Sequence, residues 1–217
     1  MPRFPIEDIS TLGWGVLGSL ALLSIFAATV VLAKMIQFRR ARLGHEAPAR
    51  LAAQHWEAGD HGAARTAVQD APGLRAALLQ TLFGALAARP DDPAGAQARA
   101  TQRATEDLAA LERNMRGLEA VVQAAPMLGL LGTVIGMIEA FGRLAQSTGA
   151  ADPAELAGGI WTALITTAVG LSIAIVFYFL SLWLDGRIAA ERAALESLLA
   201  RVLQAGAGAP ARMAGGG

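Results

Sequence analysis

The stretch Ala125–Phe141, APMLGLLGTVIGMIEAF, decides how this chain folds. It is apolar enough to cross a bilayer, yet it sets Gly129, Gly132, Gly136, Thr133 and Glu139 among its leucines and isoleucines. A segment built only to sit in lipid has no use for them. Lipid gives helices no hydrophobic reason to associate, so small side chains at membrane depth mark a surface where backbones approach closely.

Two further apolar runs flank this one, Leu12–Ala33 before it and Gly158–Leu184 after it. Each is long enough for a spanning helix, which needs about 20 residues. Across its 217 residues the chain is 54% hydrophobic and 17% charged, against about 25% charged in ordinary globular domains. The formal net charge is zero, which gives no reason to expect a nucleic-acid partner. With no cysteine, disulfides and thiolate metal sites are excluded.

Charge sets the topology. Lys34, Arg39, Arg40 and Arg42 follow the first run, and Arg187, Arg192 and Arg201 follow the third. The connection QSTGAADPAE, Gln146–Glu155, carries neither Lys nor Arg. The positive-inside rule then predicts an external N-terminus (1–11) and three spans (12–33, 126–145 and 158–184). It also predicts a cytoplasmic region (34–125), an outer loop (146–157) and a cytoplasmic C-terminal segment (185–217). Trp14 and Trp161 fall near the outer boundary, Tyr178 and Trp183 near the inner one, as interfacial aromatics do. Arg3, Glu7 and Asp8 do not make a basic leader, so the first run reads as a retained span.

The cytoplasmic region reads as helical. Asp60 is placed to cap a short helix through Gln69, Pro72 to open another reaching about Arg89, and Asp92-Pro93 to start a third. Leu108, Leu111, Met115, Leu118 and Val122 then repeat at three–four spacing. Pro126 kinks rather than ends such a helix. Unbroken from Pro93 to Ala145, it would be about 80 Å long. The tail Ala205–Gly217 is low-complexity and expected to lack fixed structure.

On the second span Gly129, Thr133, Gly136 and Ala140 share one face, with Gly132 beside them. On the third, Gly159, Ala163, Thr167, Gly170 and Ala174 do the same, with Thr162 and Thr166 in the adjacent row. Two smooth ridges carrying hydroxyls are suited to meet. The threonines either back-bond within their own helices as packing residues, or hold waters and line a path for an ion or proton. Glu139 lies toward the outer end with Arg143 at i+4; it is an interfacial ion pair or a proton carrier. His45, His55 and His61 lack the spacing of a zinc site, and no nucleotide loop, nucleophile elbow or metalloprotease motif is present. No metal, cofactor or enzymatic activity is expected.

The segment APMLGLLGTVIGMIEAF, followed after a short loop by GGIWTALITTAVGLSIAI (Gly158–Ile175), resembles the paired segments of the MotA/TolQ/ExbB proton-channel family, in its ExbB/TolQ form. The resemblance covers roughly Leu118–Leu184. It implies an all-α membrane protein whose three spans continue as long helices into the cytoplasm and assemble as a homopentameric ring in the bacterial inner membrane. It further implies that the ring encloses the single-span helices of an ExbD/TolR-like partner dimer, whose aspartate carries the proton. The work would pass to TonB for outer-membrane uptake, or to TolA for envelope integrity; a non-conducting oligomeric scaffold is the alternative. By motif position Thr133 and Thr167 correspond to the pore threonines, with Thr162 and Thr166 as neighbours. The resemblance departs at Thr162, where many ExbB sequences have glutamate, and at Val176, where a proline is common.

Overall fold

The computed structural model describes residues 11–44, 46–146 and 153–213; His45, residues 147–152 and both termini (1–10 and 214–217) lie outside the described residues. Every described element is an α-helix. Three helices are long and apolar enough to cross a membrane, and the chain is an all-α, multi-pass membrane protein. It divides into two compact units, one comprising residues 1–33 and 114–183 and the other 34–113 and 184–217.

The first unit contains the apolar parts of α1 (Thr11–Arg40), α6 (Met115–Gln146) and α7 (Pro153–Met213). Val16 and Leu20 of α1 pack against Ala125 of α6 and Ala174 of α7, with Leu128, Ile135, Val169 and Ile173 around them. Pro126 lies inside α6 without ending it; its ring removes one backbone hydrogen bond, a loss that spanning helices tolerate.

The second unit packs α2 (Ala47–Glu57), α3 (His61–Val68), α4 (Leu74–Ala88) and α5 (Pro93–Glu112) with the C-terminal parts of α1 and α7. Leu78, Leu79, Leu82 and Phe83 of α4 form the centre of its core. The Asp60 side chain accepts from the Ala63 amide at 2.9 Å and Asp92 from the Gly95 amide at 2.8 Å, so both expected caps form. Pro72 does not open α4; Gly73, at φ 111°, precedes its first residue. The Asp92→Ala variant should lose about 1 kcal/mol of stability. Faster hydrogen exchange confined to the first turn of α5 is the readout.

The long helix expected from Pro93 to Ala145 is broken. α5 ends at Glu112, and Asn114 adopts φ 71° before α6 begins. Asparagine is among the few residues that enter this left-handed region readily. The break frees carbonyls at the end of α5, and α1 supplies their donors. Buried Lys34 donates to the Leu111 carbonyl at 2.5 Å and Gln37 to the Ala110 carbonyl at 2.9 Å. A cation at a helix C-terminus is also favoured by the helix dipole.

Ion pairs gather in the second unit. Arg75 grips the buried Glu191 with two hydrogen bonds of 3.0 Å and reaches Glu46 at 2.5 Å. Burial opposes the Arg75 charge, but its hydrogen bonds to Glu191 and Glu46 outweigh this and hold its pKa above the ordinary value. Truncating Arg75 to alanine strands the Glu191 carboxylate, and thermal unfolding should show a loss of about 3 kcal/mol or more. Arg75 holds Glu46, and Arg201 holds Glu57, below the ordinary carboxylate value of 4.5. A depressed folded pKa stabilises above the unfolded value and fails as pH falls through the folded one. The contribution of these two pairs should therefore persist from neutral pH to about 4.5, and disappear only under more acid conditions.

Candidate functional site: the hydroxyl seam of α6 and α7

The two ridges meet, and the contact is set by backbone rather than by large side chains. A methyl group on Gly129 would lie 2.9 Å from the Thr166 carbonyl oxygen and 3.0 Å from the Thr167 Cα. One on Gly136 would lie 2.7 Å from the Ala163 Cβ, and one on Gly159 would lie 2.7 Å from the Ala140 Cβ. Gly170 is the tightest point, with a methyl reaching 2.5 Å from the Ala125 carbonyl oxygen and 3.1 Å from the Gly129 Cα. The seven small residues read from the sequence as packing positions thus fall along one line of contact or beside it. Ala174 is buried in the adjoining core with α1.

The small residues of the expected faces make the contact, but the threonines do not follow them. Gly132 and Thr166 point into the seam, while Thr133 and Thr167 flank it. Thr166 is 1% exposed and donates to the Ala163 carbonyl at 2.7 Å and, across the helices, to the Gly129 carbonyl at 3.2 Å. Thr167 is half-buried and donates to that same Gly129 oxygen at 2.8 Å. The structure therefore brings two of the four threonines together at one acceptor. The other two stay on their own helices: Thr133 donates to the Leu130 carbonyl at 2.6 Å and Thr162 to the Gly158 carbonyl at 3.1 Å. Both remain half-buried.

The i, i+4 ion pair between Glu139 and Arg143 is not among those the described residues form, and Glu139 is half-buried toward the end of α6. Sequence reasoning missed the Gly129 carbonyl, the acceptor shared by Thr166 and Thr167. A backbone acceptor leaves no residue-type signal; the clue was glycine itself, which lets another helix reach its carbonyl.

Chemically, the centre of this seam carries hydroxyls and no titratable side chain. It offers hydroxyl oxygens anchored to fixed carbonyls, on helices held at close range. Such groups can solvate or hydrogen-bond a group supplied from elsewhere.

The model of the MotA/TolQ/ExbB proton channel family matches residues 88–197, just over half of the chain and the whole of this seam. The biopolymer transport protein exbB1 of Vibrio cholerae is 44% identical over 79 residues, covering 35% of this chain and 35% of that protein. An ExbB homolog of Methanothermobacter thermautotrophicus, named for biopolymer transport, is 43% identical over 82 residues, covering 38% of this chain and 28% of that protein. The matches span about a third of these curated relatives' length. On the extent of the family match, the chain belongs to the MotA/TolQ/ExbB proton channel family.

Proposed function

We propose that this chain is a non-enzymatic, ring-forming subunit of a proton-driven motor in a bacterial inner membrane, with its N-terminus periplasmic and its C-terminus cytoplasmic. Its ring encloses the single-span helices of an ExbD/TolR-like partner, and a carboxyl group on that partner carries the proton. Proton flow moves the partner, and the work reaches a TonB-like protein for outer-membrane transport. The observation that carries this reading is the seam itself, a pair of slim helices locked together at Gly129 and Gly170 with Thr133, Thr162 and Thr167 left half-buried beside it. Family membership and the relatives named for biopolymer transport support it.

The mechanism needs a partner, because the middle of the seam has no titratable side chain. In proteoliposomes the lone chain should dissipate little proton gradient, whereas the co-purified complex should conduct. Robust conduction by the lone chain sinks the proposal.

One observation favours a second reading, a non-conducting scaffold: all four threonines already bond to backbone carbonyls. A scaffold should bind and stabilise its partner with no flux in either preparation. A TolQ-like role in envelope integrity leaves the same seam in use and changes only the protein that receives the work.

A further inference from the structure

The polar beginning of α6 runs beside apolar helix on two sides. Ala125 of α6 is buried with Val16 and Leu20 of α1 and with Ala174 of α7, so these residues share one level. From Leu20, α1 continues apolar for about 20 Å to Ala33, and from Ala174, α7 continues apolar for about 14 Å to Trp183. Over the same 14 Å or so, traced back from Ala125, α6 carries Gln123, Glu119 and Arg116. A second contact fixes this register: a methyl on Gly117 would lie 3.4 Å from the ring of Phe26.

Two kinds of surface are therefore exposed at one depth. α1 exposes Leu22, Ile25 and Phe26 there, and α7 exposes Ile175, Phe179 and Leu182. α6 buries Met115, Leu118 and Val121, and exposes Arg116, Glu119 and Gln123 as one stripe at i, i+3 and i+7. Water around all three helices would leave the large apolar side chains of α1 and α7 wet. Lipid around all three would put a guanidinium and a carboxylate in hydrocarbon, which is costly. α1 from Thr11 to Ala33 and α7 from Leu156 to Trp183 carry no Asp, Glu, Lys or Arg to pair with them.

We propose that Arg116, Glu119 and Gln123 face an enclosed water space in the inner half of the membrane, where α1 and α7 face lipid, and that Glu119 is the group through which the proton leaves. The second part rests on the proton-motor reading and gives this chain a titratable group of its own. A proton arriving as hydronium bonds to a Glu119 carboxylate oxygen and leaves a water behind. The neutral acid then passes it to a second water nearer the cytoplasm and is a carboxylate again.

The test uses the chain co-purified with its single-span partner, in proteoliposomes. Glu119→Cys and Gln123→Cys should react with a water-soluble methanethiosulfonate, because a hydrated thiol ionises. Phe26→Cys and Phe179→Cys, at the same depth, should react only with a lipid-soluble maleimide. Aqueous labelling of all four at similar rates would place this whole level in the cytoplasm and overturn the inference. A Glu119→Cys that resists both reagents would also overturn it, since another helix would then fill the space. Glu119→Gln should assemble and lower proton flux about tenfold or more, the scale of losing a positioned proton-transfer group. Glu119→Asp, shorter but still an acid, should keep most of the flux. Full flux in the Glu119→Gln complex removes the relay role. A wild-type complex that shows this labelling pattern and carries no proton overturns the motor reading and the relay with it, and leaves the water space standing.

Discussion

Replacing Gly170 by leucine should separate α6 from α7 and abolish assembly. The cause is local and leaves no escape. The first carbon added at Gly170 already meets the Ala125 carbonyl oxygen at 2.5 Å and the Gly129 Cα at 3.1 Å, and both belong to backbone that cannot rotate aside. Gly170→Ala should therefore cost about 1–3 kcal/mol, the usual range for forcing atoms into a packed site. Leucine demands several more carbons in the same gap and should cost the pairing outright. Gly158→Ala and Gly186→Ala make the comparison sharp, because an added methyl meets nothing within 4 Å at either site. Alanine is the better helix former by about 1 kcal/mol, so these controls should be neutral or slightly stabilising. Thermal unfolding in detergent or bicelles, with size analysis of the assembly, reads both directions. Equal effects at Gly170 and Gly186 would mean that the seam does not hold the spans together.

The second large effect concerns function without loss of structure. The Thr133→Val, Thr167→Val double variant keeps the side-chain shape nearly unchanged and removes two hydroxyls. Each hydroxyl contributes about 1 kcal/mol through its bond to a carbonyl, so the variant should still insert and assemble. Proton flux in the partner complex should nevertheless fall at least about tenfold, because two oxygens that would hydrogen-bond the transferred proton's carrier are gone. Thr166→Val should behave in the opposite way. Its hydroxyl is sealed in the seam, where no water can replace its bonds to Ala163 and Gly129 as it can at half-buried Thr167, so its loss should lower stability while flux per assembled complex survives. A double variant that conducts normally would reduce the threonines to packing residues, and the scaffold reading would stand.

Much of this was legible in the sequence, and the boundary of what was legible has a physical cause. Apolar run length and the placement of Lys and Arg are properties of whole segments, and they mark three membrane-long helices. The caps at Asp60 and Asp92 were readable because a cap depends on one residue and its next few neighbours. Gly129, Gly136, Gly159, Ala163 and Gly170 were readable as contact positions because lipid-facing helices need small residues wherever they touch. Which threonine enters the contact was not. Residues one apart differ by about 100° around a helix, so Gly132 and Thr133, or Thr166 and Thr167, present nearly equal claims to one face until the partner helix is in place. The break at Asn114 was also missed, because the apolar spacing of Leu108, Leu111, Met115 and Leu118 continues across it. It forms because Lys34 and Gln37, more than seventy residues earlier, provide donors for the carbonyls that it frees. That is a tertiary effect with no local signal. α2 escaped notice because its buried face is mostly alanine, Ala49, Ala52 and Ala53, with Trp56. The helix α7 continues to Met213, into the alanine- and glycine-rich stretch expected to lack fixed structure.

The absence of native cysteine allows the central claim to be tested at single positions. The claim is that Thr133 and Thr167 border a water-filled lumen that receives a partner helix. Thr133→Cys and Thr167→Cys, made singly in the assembled complex, should react with a water-soluble methanethiosulfonate, since only a hydrated thiol ionises to the reactive thiolate. Leu22→Cys on the first span, at a residue 70% exposed with no charge near it, should stay unreactive in lipid. If instead both threonine positions resist the aqueous reagent, yet label readily with a lipid-soluble maleimide, the hydroxyls face the bilayer and the account is wrong.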